Sequence, residues 1–175
     1  MTTAVVPTNR ERLMREDDFI VSKTDTKGII EYGNRTFIEF SGYSEKELIG
    51  ANHNIIRHPD MPRAVFQLLW DTLAQKKEIF AYVKNMSKNG DFYWVFANVT
   101  PSYDEKGNVI GYYSVRRCPR QSAVQTISGV YNILLNEERK YPSNERKQAI
   151  KASTNILLNF LSEKGTTYEE LILSI

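Results

Sequence analysis

The most chemically varied stretch of this chain is His53-Asn54-Ile55-Ile56-Arg57-His58-Pro59-Asp60-Met61-Pro62, which holds both histidines. Arg57 carries a planar fork of donors that can take a phosphate in bidentate fashion. His58 and Asp60 would touch the same ligand or order the loop between the two prolines; Asp60, which repels phosphate, is also placed to cap a helix starting near Pro62 or to bond His58. His53 is a candidate axial metal ligand or a structural side chain in a helical turn. Farther on, Trp70 offers a flat aromatic wall to a planar ligand, or simply fills a core. Asn85 presents a donor beside an acceptor, the complement of an imide edge, unless it serves as a turn-entry residue before Lys88-Asn89-Gly90. If Asn85 faces inward, Lys84 faces away by strand parity.

Catalysis has little to work with. There is no glycine-rich phosphate loop, no His/Asp/Glu set at metal-binding spacing and no nucleophile partnered by a base, so a non-enzyme is expected. Net charge is +2, from 23 basic and 21 acidic residues that are interspersed, which argues against a nucleic-acid partner. No run of about 18 apolar residues occurs, so direct membrane insertion is not expected. The one cysteine, Cys118, cannot close an internal disulfide, which fits a reducing cytoplasm. Between Arg117 and Arg120 it is also a candidate reactive thiol, because cations favour the thiolate. With 175 residues, 41% of them hydrophobic, the chain has room for one domain and a helical appendage.

These residues must be positioned by local structure. Residues 1–18 are expected as a flexible or partly helical lead-in. Phe19 to Thr24 and Ile29 to Tyr32, around Asp25-Thr26-Lys27-Gly28, predict a β-hairpin. Phe37 and Phe40 share a helical face that Gly42 ends, and Ser44 with Glu47 forms the capping box of a second short helix. Ala51 to Pro62 reads as one helical turn and a loop. Ala64, Val65, Leu68, Leu69 and Leu73 recur at helical spacing and place Trp70 on a helix from about Arg63 to Ala74. Three strands follow, Ile79 to Asn85, Phe92 to Ser102 and Val109 to Arg117, joined by turns at Lys88-Asn89-Gly90-Asp91 and Asp104 to Asn108. Beyond Pro119, stripes through Ala123, Ile127, Tyr131 and Leu134, then through Ile150, Ile156, Leu157 and Leu161, predict two helices packed antiparallel or against another chain. Thr166 or Thr167 would cap a last short helix.

Two strands, short helices, a longer helix and three strands is the order of PAS domains. That resemblance implies an α+β fold, one five-stranded antiparallel sheet with short helices on one face, here followed by a C-terminal helical hairpin. Asn34-Arg35-Thr36-Phe37, Ser41-Gly42-Tyr43-Ser44, Glu47-Leu48-Ile49-Gly50, Lys88-Asn89-Gly90 before Tyr93-Trp94, and Gly111 to Arg117 all resemble PAS signature positions. The run from His53 to Pro62, together with Trp70, Val83-Lys84-Asn85 and Tyr93-Trp94-Val95, is similar more narrowly to the PAS domain of bacterial aerotaxis receptors. The division expected is a lead-in at 1–18, a PAS sensor domain at 19–118 and a helical extension at 119–175.

The resemblance implies non-covalently bound FAD whose redox state is the signal. A flavin needs an apolar wall, hydrogen-bond partners for its pyrimidine edge, and cations for its phosphates. Trp70 and Asn85 would meet the first two needs, and the matched positions Arg57, His58 and Asp60 are associated with FAD binding in that family. Asn34 would reach the pocket or cap the helix after it. Phe80 stands where that family has a tryptophan, so ring contact and redox tuning there are expected to differ. LOV-type photochemistry is set aside, because it needs a cysteine in the helix beside the flavin.

The chain ends at Ile175 with neither the anchor nor the long coiled coil of a chemoreceptor. That is similar to split energy-taxis systems, in which a soluble PAS protein signals to a membrane-anchored receptor. The expectation is a cytoplasmic FAD-binding redox or energy sensor, brought to the membrane by a chemoreceptor-like partner, with the C-terminal helices as receptor contact or homodimer seam. A cofactor-free PAS interaction module and a heme-based gas sensor using His53 or His58 remain as alternatives.

Overall fold

Five strands, β1 (Phe19–Thr24), β2 (Ile30–Gly33), β3 (Ile79–Met86), β4 (Phe92–Tyr103) and β5 (Val109–Arg117), pair antiparallel in the order β2-β1-β5-β4-β3. The computed structural model describes residues 5–175. Between β2 and β3 come α1 (Arg35–Ser41), α2 (Glu45–Leu48), a 3-10 turn (His53–Ile56) and α3 (Arg63–Ala74). This is the PAS fold that the element order implies. Local signals account for most boundaries: Asn34 caps α1, accepting from Phe37 N at 3.0 Å, and Gly42 ends it with φ 71°. Glu47 accepts from Ser44 N at 3.0 Å, closing the capping box of α2.

Strand parity sorts the sheet into two faces. Val83, Asn85, Ala97, Ser114 and Arg116 point to the helical side. Tyr82, Trp94 and Phe96 point the other way, where Tyr82 and Phe96 pack with ring centres 4.9 Å apart. The helical side holds the core, in which Ile20, Phe37, Leu48, Ile56, Tyr93 and Val95 are buried.

The lead-in corrects the expectation of helix. Its described part, residues 5–18, forms no helix; it makes one turn at Arg15–Asp18 and otherwise runs extended, beside the start of β4. Thr8 N donates to Gly90 O at 2.8 Å, Arg12 N to Phe92 O at 2.7 Å, and Phe92 N to Arg10 O at 3.0 Å. The cause is an open edge: β5 pairs with β4 only from Phe96 onward, and the unpaired backbone before it recruits another extended segment. Gly90, with φ 89°, makes room, since a Cβ there would stand 2.1 Å from Val6 O. Residues 1–4 of the expected lead-in lie outside the described residues.

The C-terminal helices are α4 (Gln121–Glu138), α5 (Arg146–Lys164) and α6 (Tyr168–Ser174). α4 and α5 pack as a hairpin, α5 also meets α3, and α6 lies on β3. Tyr131 of α4 stacks on Trp94 with ring centres 6.3 Å apart and donates its hydroxyl to Tyr82 O at 2.8 Å. Ala123, Ile127, Leu134, Leu157 and Leu161 are all buried. The apolar stripes offered to a second chain are thus turned onto this chain's own sheet, because the aromatic outer face of β3 and β4 needs cover.

Candidate functional site

Between the inner face of the sheet and the segment from Asn52 to Leu73 lies a cavity of about 390 Å³, within the usual range for a small-molecule site. Leu69, Leu73, Val83, Ala97 and Val99 supply its apolar wall. Asn52, His53, Asn54 and Arg57 line it from the 3-10 segment, Phe66 and Trp70 from α3, Ser22 and Thr24 from β1, and Tyr112, Ser114 and Arg116 from β5.

Two side chains in this wall keep buried donors without partners. Asn85 is buried, and its Nδ2 makes no hydrogen bond. Its backbone pairs with Arg57 in an isolated antiparallel bridge, which holds the loop against β3 and brings both residues into one wall. Arg116 is 2% exposed and rests 4.7 Å over the Phe37 ring. One guanidinium nitrogen donates to Ser22 Oγ, while Nε and Nη1 have no partner. Burial pulls Arg116 down to about 10, so it stays a cation at neutral pH. An unmatched buried donor costs about 1–3 kcal/mol, and a cavity is where a ligand can supply the missing acceptor.

His53 stacks on Phe37 with ring centres 5.8 Å apart and lies 3.2 Å from Ser22 Oγ through Nε2. Burial, and then the charge of Arg116, push it down to about 3, so it is neutral. Trp70 stands at the cavity rim, 41% exposed, its ring edge-on to Tyr112 at 5.4 Å; it does not fill the core. Arg57 lies 3.9 Å over the Phe66 ring and donates to Met61 O at 3.3 Å.

The other proposed site residues lie elsewhere. His58 is buried outside the cavity, accepting from Asp60 N at 3.0 Å and packed edge-on to Phe92. Burial, with Lys84 nearby, pushes it down to about 4. Asp60 pairs with Lys84 at 2.9 Å and with Arg139, just past α4, at 3.5 Å, so it ties the loop to β3 and to the C-terminal extension. It does not cap α3. Glu138 does, accepting from Arg63 N and Ala64 N at 3.0 Å each and from Ser153 Oγ at 2.9 Å. Asn34 resolves as a cap: besides Phe37 N it accepts from Val21 N at 3.0 Å and donates to Phe19 O at 2.8 Å, and it does not line the cavity. Phe80 stacks on Phe96 on the outer face, with ring centres 5.7 Å apart. Parity explains this: a strand that points Val83 and Asn85 inward must point Phe80 outward. Cys118 departs from the reactive-thiol expectation as well, since it donates to Met14 O at 3.2 Å, and burial, then Glu16 and Asp18, raise its pKa.

Ser22, Arg116 and Arg146 line the cavity yet went unrecognised in the sequence, as did Glu138, which caps α3. For Arg116 a signal existed: a strand alternating Tyr112, Ser114, Arg116 puts a cation on the face that also carries Asn85 once the pairing is known. Arg146 and Glu138 sit in the helical extension and carry no local mark of their neighbours.

Residues 30–116 match the family model described as the PAS fold, and the chain carries a PAS domain. The domain is of the aerotaxis-receptor type. It is 39% identical over 127 residues to the aerotaxis receptor of Escherichia coli strain K12, covering 73% of this chain and 25% of that protein. The chain therefore spans about a quarter of that relative's length. It is also 27% identical over 105 residues to the nitrogen fixation regulatory protein of Klebsiella pneumoniae, covering 60% of this chain and 21% of that one. Among solved structures it resembles the light state of the blue-light photoreceptor Aureochrome1 LOV, with TM-score 0.55 at 22% identity over 67% of this chain and 92% of that one. The PAS domain of the fruit-fly ELK potassium channel gives TM-score 0.52 at 19% identity over 57% and 85%. At these identities the structural likeness concerns the fold.

Proposed function

We propose that the cavity binds FAD and that the protein is a redox or energy sensor, not an enzyme, which signals by contact with a chemoreceptor-type partner. The observation that carries this reading is the set of unpartnered buried donors, Asn85 Nδ2 with Arg116 Nε and Nη1, lining one cavity. They fit the pyrimidine edge of a flavin, whose carbonyl oxygens and ring nitrogens accept hydrogen bonds, while the Asn85 amide oxygen can take its imide N–H. Trp70 at the rim and the apolar wall suit the flat ring. A bound flavin would supply reversible electron uptake that changes the charge and hydrogen bonding of the ring.

The residues of this chain offer a way to read that change. A ligand shifts a conformational equilibrium only by differing in affinity for two states, and Arg116, a buried cation, favours the form that carries more negative charge. Phe66 and Trp70 place the ring against α3, and Glu138 holds the N-terminus of α3 to α4. Movement of α3 therefore reaches the C-terminal helices, which would face the partner. No helix among the described residues is long and apolar enough to cross a membrane. In this reading the protein is cytoplasmic and the partner supplies membrane proximity.

Absorption of the purified protein tests the cofactor. A two-band flavin spectrum with released FAD supports the proposal; a Soret band points to heme at His53, and a colourless protein that takes up no FAD points to a plain interaction module. Replacing Asn85 with Ala should lower FAD affinity about tenfold, the scale of one buried hydrogen bond. Unchanged affinity removes Asn85 from the site.

A further inference from the structure

The cavity is not walled by the PAS fold alone. Arg146, the first residue of α5, lines it together with Arg57 and Asn54. Asn54 and Arg146 are exposed, which places this group at the mouth, away from the apolar wall of Leu69, Val83 and Val99. Two guanidinium groups thus converge from segments almost ninety residues apart, one from the loop after the 3-10 turn and one from the C-terminal extension.

Two carboxylates near Arg57 are committed elsewhere. Asp60 is held by Lys84 and Arg139, and Glu138 is consumed by the N-terminus of α3 and by Ser153. Arg57 has the Phe66 ring beneath it and one hydrogen bond, to Met61 O. Burial, then the charges of Arg146 and Arg63, pull Arg57 down to about 10 against the opposing pull of Glu138, as expected of a buried cation beside like charges. Like charges brought together repel, and folding that assembles them is offset by an anion between them.

We propose that Arg57 and Arg146 clamp the pyrophosphate of the bound dinucleotide, which makes the C-terminal helix α5 part of the cofactor site. This rests on the flavin reading above and adds to it a second anchor outside the PAS domain. The ring is recognised from the sheet and the phosphates at the mouth, so a flavin lacking phosphates fills the cavity without touching α5. Occupancy by the dinucleotide then bridges the sensor domain and the extension, the part that the proposed signal has to reach.

The test compares riboflavin with FAD on the full chain stripped of flavin, following quenching of flavin fluorescence. Arg146→Ala should weaken FAD about tenfold, the scale of a charge-assisted hydrogen bond discounted for exposure. It should leave riboflavin within about twofold. Lys147→Ala, one residue along α5 and outside the cavity lining, should change neither. FAD, and not riboflavin, should slow tryptic cleavage at the start of α5. An Arg146→Ala chain with wild-type FAD affinity overturns the clamp, and so does an equal loss for both compounds or an equal loss in Lys147→Ala. A wild-type chain that binds neither compound removes the flavin reading itself, whereas one that binds both while Arg146→Ala behaves like wild type removes only the clamp.

Discussion

Asn85 and Lys84 are neighbours in β3 and face opposite sides of the sheet. On the inner side Asn85 and Arg116 keep three nitrogen donors buried and unpartnered around a cavity. On the outer side Lys84 donates to Asp60 at 2.9 Å and lies 4.3 Å over the Phe92 ring, and α4 and α6 cover the rest. Glu138, as buried as Asn85, is satisfied by three donors. The contrast separates two uses of polar residues in a small domain. Groups that find partners within the chain hold elements together, and groups left without partners beside a cavity describe the ligand's edge.

The largest effect should come from the satisfied side. Glu138→Ala leaves two backbone donors at the start of α3 and the Ser153 hydroxyl without an acceptor, and it should destabilise the fold by about 3 kcal/mol in denaturant titration. A loss under about 1 kcal/mol would show that water reaches the helix start and that the α3–α4 link is weak.

Arg116→Met should act in the opposite sense. It removes a buried charge that lacks a counter-ion, so the flavin-free protein should gain about 1–2 kcal/mol while flavin affinity falls. A destabilised flavin-free protein would mean that Arg116 is structural and would erase the distinction between the two faces.

Acid should cost stability in a window set by the two histidines. Their ordinary value is 6.5, and burial holds His53 near 3 and His58 near 4 in the folded chain. Between those limits the unfolded chain binds protons that the folded chain refuses, so stability present at pH 7 is lost as pH falls below about 6.5. Chemical denaturation between pH 7 and 5 should show the slope, and His53→Asn should reduce it. A slope unchanged in that variant would mean that His53 titrates normally.

The smallest change is expected at Asp60. Its pairs are half-exposed, so Asp60→Asn should shift stability by less than about 1 kcal/mol. It should leave flavin affinity unaltered, because Asp60 does not line the cavity. A marked loss of flavin would return Asp60 to the site.

The residues near one another along the chain determined most of the architecture. The caps at Asn34, Ser44 and Thr167, the turn at Gly90, the period-two strands and the stripe through α3 are local devices, and each element they predict is present. The cavity residues Trp70, Asn85 and Arg57 were legible because their side-chain chemistry and their motif both marked them. Phe80, a candidate whose ring contact was expected to differ, lies on the outer face, as strand parity relative to Asn85 requires. Only the tertiary structure decided the rest. Arg116 meets Ser22 across 94 residues, and Glu138 caps a helix 75 residues upstream. Whether a polar group is buried, paired or left waiting depends on what distant segments bring to it, and no local pattern encodes that.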